Sequence, residues 1–135
     1  MKHFLAPIAL ALLSACATAS PPTPGLANTA WRFERIDGAA PVSERAWLEF
    51  RADRISATVG CNGLGGDWRI DGNRIVTGPF MSTRMFCEGV MGQERAVSEL
   101  LSASPGWRLA GSRLELKSAG HRAVLVRVSP PPRRP

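Results

Sequence analysis

The sequence predicts a mainly β (α+β) domain, a small antiparallel barrel or curled sheet of about eight strands with one helix. Short segments with the alternating apolar pattern of strands recur at intervals of roughly ten residues from Thr29 onward. A single stretch carries apolar residues at helical spacing. When both ends are set aside, about a hundred residues remain, which is the usual size of one domain.

The N-terminus has the features of a bacterial export signal. Lys2 is followed by an apolar run from Phe4 to Leu13, which is too short to span a bilayer as a helix. The run ends in the tetrapeptide LSAC, which resembles the lipobox of bacterial lipoproteins and ends at Cys16. We predict a signal peptide over residues 1–15 and acylation at Cys16. The alternative is an ordinary secretory signal with an incidental cysteine.

The segments that flank the predicted domain are unsuited to a core. Residues 16–28 comprise the lipidated cysteine and a small, Pro-rich, uncharged tether, and residues 129–135 form a Pro/Arg tail. The folded domain is therefore predicted over residues 29–128. Ala17, rather than an aspartate, follows the cysteine, and the resemblance to sorted lipoproteins then implies the periplasmic face of the outer membrane.

Five strands are predicted before the helix. Trp31 and Phe33 alternate with polar residues in the first strand, and Ile55, Ala57 and Val59 share one face of the third. An Asp-Gly dipeptide at residues 71–72 favours a tight hairpin between the fourth and fifth. The predicted strands are Ala30–Ile36, Ala46–Phe50, Arg54–Gly60, Gly66–Ile70 and Asn73–Thr77.

One helix and three further strands complete the predicted domain. The helix extends over Gly89–Ser102, with a stripe that includes Glu94 and Val97, and it ends before Pro105 and Gly106. The last strands are predicted over Trp107–Ala110, Arg113–Lys117 and Ala123–Val128, with Leu114, Leu116, Val124, Val126 and Val128 pointing inward. The four tryptophans, Trp31, Trp47, Trp68 and Trp107, are interpreted as core or rim aromatics rather than as a ligand platform.

Two motifs together resemble the META domain, also called the HslJ-like family. The first is GCNGLGGDW from Gly60 to Trp68, and the second is MSTRMFC from Met81 to Cys87. The family combines a Gly-Cys-Asn turn with a Thr-x-Met-x-Cys segment and a following helix that contains a glutamate, here Glu94. The resemblance extends from the first tryptophan strand to the final hairpin.

This resemblance implies a lipocalin-like barrel, an envelope location, and a part in heat shock or antibiotic tolerance without an established activity. The family motif implies a candidate binding surface at Gly60, Asn62, Thr83, Arg84 and Met85. Three positions depart from the usual pattern: Gly63 stands where arginine is common, Trp68 where tyrosine is common, and Phe86 where a small residue is usual.

Residues suited to catalysis or metal binding are sparse. Without the signal peptide, His121 is the one remaining histidine, so a nucleophile–histidine pair is disfavoured. Cys61, Cys87 and His121 lack the close spacing of zinc ligands. The Gly-rich turn is not followed by the Lys-Ser/Thr pair of a phosphate-binding loop, and no pair of carboxylates indicates a glycosidase. We therefore expect no catalytic residue, no metal and no cofactor.

The remaining cysteines predict a disulfide. Once Cys16 is acylated, Cys61 and Cys87 are an even pair in an oxidising compartment. The alternative is a pair of buried free thiols.

Charge and anchoring together predict the class of function. The net charge of +6 falls to +5 without Lys2, and the arginines are scattered, which indicates a solvated β surface and no nucleic-acid partner. We expect a monomeric, non-enzymatic lipoprotein attached to the membrane by its lipid, acting in stress or antibiotic tolerance or outer-membrane maintenance by binding an envelope protein or small ligand. The alternative is a lipid-anchored inhibitor of a secreted enzyme such as a lysozyme or protease, although a basic protein would be repelled by a cationic lysozyme.

A ligand site, if the motifs form one, is expected at the barrel mouth. The Gly-rich turn and the second motif would place Asn62, Arg84 and a tryptophan there. The alternative is that these residues only close the barrel.

Overall fold

The computed structural model describes residues 25–130, which form nine strands and one helix. Helix α1 extends over Met91–Ser102, between β6 and β7. The strands are β1 (Thr29–Ile36), β2 (Ala46–Phe50), β3 (Arg54–Val59), β4 (Gly63–Asp71), β5 (Arg74–Thr77), β6 (Met81–Ser82), β7 (Gly106–Ala110), β8 (Arg113–Ser118) and β9 (His121–Val128). Within residues 25–130, no helix has the length and apolar character needed to cross a bilayer. The predicted signal peptide, the predicted acylation site Cys16, residues 17–24 of the predicted tether and residues 131–135 of the predicted tail lie outside the described residues.

Eight strands close into an antiparallel barrel. Their order is β3-β2-β1-β9-β8-β7-β5-β4, and β4 pairs again with β3. The short β6 pairs with the beginning of β4 and was not predicted. The predicted small antiparallel barrel of about eight strands with one helix is therefore confirmed.

Apolar side chains fill the barrel interior, and on β1 and β3 they are the ones that the alternating pattern predicted to share one face. Trp31 and Phe33 of β1 are 0% and 2% exposed, and the predicted face of β3 is buried as a whole. A bulge after Phe33 shifts the register of β1, so that Ile36 is also buried. Leu26, assigned to the tether from the sequence, is 1% exposed and belongs to the core, so the folded domain begins before Thr29.

The inward face of the last strand differs from the prediction. Val124, Val126 and Val128 were predicted to point inward. Instead Ala123 and Leu125 are buried, because Leu125 lies opposite the inward Leu114 of β8. The strand contains an unbroken apolar run, so alternation could not choose its buried face, and β-branched residues are favoured on either face of a strand.

Two-residue turns fix the hairpin registers. Residues 72–73 join β4 to β5, one residue later than the predicted Asp-Gly turn, because Asp71 still pairs in the ladder. Residues 119–120 join β8 to β9 and both have positive φ, the backbone that tight hairpins favour. His121 is therefore the first residue of β9 and does not lie in a longer loop.

Helix α1 closes one end of the barrel. It packs against β1, β3, β8 and β9 with a buried face that includes Val97, Leu100 and Leu101. Antiparallel strands alternate in direction, so the end of β1, the β3–β4 turn and the β8–β9 turn all lie at one end of the barrel. Residues of α1 form hydrogen bonds to the loop that follows β1, to the β3–β4 turn and to the first residue of β9. The two family motifs flank this closed end.

Candidate functional site

Asn62 is the centre of the site, in the turn between β3 and β4. It is 2% exposed, although it carries an amide with two donors and an acceptor. Its Nδ2 donates to the carbonyl of Met85 at 2.9 Å and to Oε1 of Glu94 at 2.6 Å. Its Oδ1 accepts from Oγ1 of Thr83 at 2.9 Å and from the backbone N–H of Met85 at 2.7 Å. The amide is thus fully satisfied from within the protein.

Glu94 is the helix partner of this amide. The side chain is 7% exposed, and its Oε2 accepts the backbone N–H of Asn62 at 2.9 Å in addition to the bond from Nδ2. A carboxylate this deeply buried is retained only where hydrogen bonds replace its hydration. The pair therefore fastens the first turn of α1 to the β3–β4 turn.

The second motif is fastened to the same turn. Thr83 donates its backbone N–H to the carbonyl of Gly63 at 3.2 Å and accepts the N–H of Gly63 on its hydroxyl at 3.1 Å. Four residues later, Cys87 forms a disulfide with Cys61, with the Cα atoms 5.9 Å apart. The disulfide expected from the sequence is thus present in the structure and ties the chain entering α1 to the barrel.

The first residue of the Gly-Cys-Asn motif is restricted by its surroundings. Gly60 has φ +109°, and a Cβ at this position would lie 2.4 Å from Cβ of Ser43. Either fact alone disfavours a side chain here. The glycine thus lets the β1–β2 loop approach the turn that carries Asn62.

Arg84 takes no part in the contacts that hold its neighbours Thr83 and Met85. Its side chain is exposed, and none of the ion pairs found among residues 25–130 includes it. No tryptophan joins the Asn62 network in the described residues: the ring of Trp68 packs against Phe50 at 4.8 Å, and its Nε1 donates to the carbonyl of Arg51. The structure thus places Asn62, Thr83 and Met85 together and leaves Arg84 in solvent.

Further hydrogen bonds hold both ends of α1. Gln93 donates to the carbonyl of Ala40 and accepts the N–H of Val42, both at 2.8 Å. Near its C-terminus, the carbonyl of Leu101 accepts the hydroxyl of Thr77 at 2.8 Å. Together with Glu94, these contacts attach α1 to the β1–β2 loop, to the β3–β4 turn and to the end of β5.

A histidine between two carboxylates completes the attachment of α1, and sequence analysis missed it. Nδ1 of His121 lies 2.7 Å from Oδ2 of Asp37, and Nε2 lies 2.8 Å from Oε2 of Glu99. The hydrogen bonds to Asp37 and then Glu99 raise the pKa of His121 above its ordinary value. A protonated ring donates to both acids and so links α1 to the ends of β1 and β9.

Asp37 is held in place from a second direction. Burial acts to raise its pKa, but the backbone N–H of Arg122 and the His121 ring together lower the pKa of this carboxyl. Asp37 and His121 are separated by 84 positions in the sequence, and His121 and Glu99 by 22. No local pattern in the sequence could have indicated their contact.

Two recesses lie on the surface formed by the described residues. An open groove of about 390 Å³ lies between α1 and strands β4 and β6, and a second of about 230 Å³ lies beside β7, β8 and β9. Among the described residues, the histidine contacts carboxylates and no hydroxyl, and no cluster of three metal-ligating side chains is found. The first groove is lined by Leu64, Ser82, Met91, Glu94, Arg95, Ser98 and Glu99.

Comparisons with known proteins agree with this architecture. The family model described as META domain matches residues 24–130. A solved NMR structure, described only as that of a protein, has a TM-score of 0.67 at 20% identity and covers 75% of this chain and 90% of its own. An NMR structure of a protein from Burkholderia xenovorans has a TM-score of 0.62 at 19% identity, covering 87% of this chain and 100% of its own. At these identities both show the fold alone. No curated protein matches the sequence.

Proposed function

This chain belongs to the META domain family, and on that premise we propose that it is a non-enzymatic envelope lipoprotein that acts by binding, in stress or antibiotic tolerance or in outer-membrane maintenance. The observation that carries the proposal is the internal use of the motif's polar groups. The polar atoms of Asn62 and Glu94 form the hydrogen bonds that fasten α1, so they are not available as reacting groups at the centre of the site. A protein built this way offers a rigid surface rather than a reaction centre.

The anchor is proposed from the sequence before Gly25. An apolar run followed by LSAC and Ala17 supports acylation at Cys16 and attachment to the periplasmic face of the outer membrane. Globomycin, which blocks the lipoprotein signal peptidase, is expected to accumulate the unprocessed form. Normal processing and membrane attachment of a Cys16→Ser variant would contradict this anchor.

The binding function is tested by a substitution that changes the surface and leaves the stability of the fold unchanged. In a deletion strain under heat or antibiotic stress, the wild-type gene is expected to restore survival. Arg84→Ala, which removes an exposed side chain without a partner among the described residues, is expected to restore it poorly while the unfolding temperature stays within about 2 °C of wild type. Full restoration by Arg84→Ala would contradict a role for this surface. A stoichiometric secreted enzyme recovered from envelope extract would instead favour inhibition.

A further inference from the structure

Three of the seven large apolar side chains that are exposed among residues 25–130 lie in one segment beside the closed end of the barrel. Phe86 is 82% exposed, Met81 75% and Met85 56%, and all three lie within six consecutive residues. Exposed apolar residues scattered singly need no explanation, but a concentration of them marks a surface that is covered by something else. We call Met81, Met85 and Phe86 the Met–Phe surface.

The backbone beneath the Met–Phe surface is fixed. Met85 is held by its N–H and its carbonyl to the amide of Asn62, and Thr83 is paired to Gly63 on β4. Directly after Phe86, Cys87 is joined to Cys61. The segment is therefore presented in one conformation, and binding through it need not order a loose loop.

Addition of a partner's strand to this surface is disfavoured. The segment contains the edge strand β6, but that strand is two residues long and is preceded closely by Pro79, which has no N–H. A short edge next to a proline offers little backbone for pairing. The neighbouring groove is lined by Ser82 but by none of the three residues of the Met–Phe surface, so these side chains project outward rather than forming a recess.

The charge of the surface fits a phospholipid interface. Arg84 lies between Met81 and Met85, without an ion-pair partner among residues 25–130, and residues 80–86 contain no acid. Guanidinium binds phosphate through paired donors, and apolar side chains beside basic ones are the pattern of interfacial membrane contact. Without Lys2 of the predicted signal peptide the chain is still positive, at +5, which favours anionic lipid.

The chain before the domain keeps the domain close to the bilayer that holds its anchor. Because β1 ends at the closed end, its first residue lies at the opposite end of the barrel, so the barrel must lie along the bilayer for the Met–Phe surface to touch it. Gly25 follows Cys16 by nine residues, which span at most about 30 Å when extended. We propose that the Met–Phe surface and Arg84 lie in the headgroup region of an anionic phospholipid bilayer, forming a second membrane contact beside the lipid anchor. This inference rests on the proposed anchoring at Cys16.

The test uses the full-length lipoprotein in cells and in vesicles of phosphatidylethanolamine and phosphatidylglycerol. The photoreactive residue p-benzoylphenylalanine replaces Phe86, and in a matched control it replaces Val42, which is 58% exposed. Illumination is expected to give a phospholipid adduct from position 86 and little from position 42. A protein adduct from position 86, equal lipid adducts from both positions, or no adduct from position 86 would each overturn the inference.

A charge reversal makes the test independent of the photoreactive group's own affinity for lipid. With the reporter at position 86, Arg84→Glu is expected to lower the phosphatidylglycerol adduct about fivefold or more. Arg74→Glu changes the net charge equally at an exposed side chain and is expected to leave the yield unchanged. Equal effects of both reversals would overturn the specific contact. Loss of membrane attachment in the unmodified protein would refute the anchor, whereas attachment without a lipid adduct would refute this inference alone.

Discussion

Replacing Asn62 by alanine tests the structural role of the family motif. The substitution removes four hydrogen bonds, two donated by Nδ2 and two accepted by Oδ1. A typical hydrogen bond contributes about 1 kcal/mol, and one to a charged group about 1.5–3 kcal/mol. Thr83 and Met85 are exposed residues whose groups regain water, but the carboxylate of Glu94 stays buried. We therefore expect a loss of about 3–4 kcal/mol in the free energy of unfolding.

The loss is measured by urea unfolding followed by tryptophan fluorescence, without reductant. In a domain of this size it corresponds to a fall of roughly 15–20 °C in the unfolding temperature. Asn73→Ala is the matched control, because this exposed asparagine lies in a turn and its side chain makes no hydrogen bond in the structure; it is expected to cost less than about 0.5 kcal/mol. A cost below about 1 kcal/mol for Asn62→Ala would refute the reasoning.

The isosteric variant Asn62→Asp tests the same contact through the dependence of stability on pH. Asn62→Asp keeps the shape of the side chain but places a second carboxylate against Glu94, where Nδ2 now lies 2.6 Å from Oε1. Two carboxylates at this distance share a proton, so one pKa of the pair is raised strongly. We expect the variant to regain stability as the pH falls below neutrality. Equal stability of Asn62→Asp and wild type at neutral pH would contradict the buried contact.

Three further predictions follow from the closed end of the barrel. Replacing Cys61 and Cys87 by serine opens a loop of 26 residues and is expected to cost about 3.5 kcal/mol, while non-reducing mass spectrometry should find neither thiol alkylated in wild type. Because the pKa of His121 is raised in the folded state, its contribution to stability is full below about pH 6.5 and is lost as the pH rises through that raised pKa. The variant His121→Gln should abolish this part of the dependence of stability on pH. An unchanged dependence would refute the bridge between Asp37 and Glu99. Gly60→Ala is expected to destabilise the domain, and Ser43→Gly should recover only part of the loss, because the clash is relieved while the φ strain remains; complete recovery would show that φ is not limiting.

Much of the fold was predictable because alternation and turn residues are local signals. The bounds of β2, the end of β5 and the inward face of β3 all follow from short patterns within each segment. The face of β9 was wrong because its apolar run is unbroken, and the choice depends on the pairing of Leu125 with Leu114. The start of β4 at Gly63 was missed because Gly63, Gly65 and Gly66 have no side chains that could alternate, and pairing with β3 makes them extended.

The candidate site was predictable in composition but not in its contacts. The motif pattern brought Asn62, Thr83 and Met85 into one hypothesis, and the structure joins them. That Glu94 is the partner of Asn62 depends on how α1 crosses the barrel end, which no spacing in the sequence defines. The exposure of Phe86 likewise depends on which neighbouring groups turn inward, and hydropathy alone would have assigned it to the core.

Native-state hydrogen exchange of the α1 amides tests most directly whether the motif fastens this helix over the barrel. In the Asn62→Ala variant, compared with wild type and with Asn73→Ala, the amides of residues 91–102 are expected to lose protection by about tenfold or more, while those of β8 and β9 lose less. Unchanged protection of α1 in Asn62→Ala would contradict the account, because the helix would then be held without the Asn62–Glu94 contact.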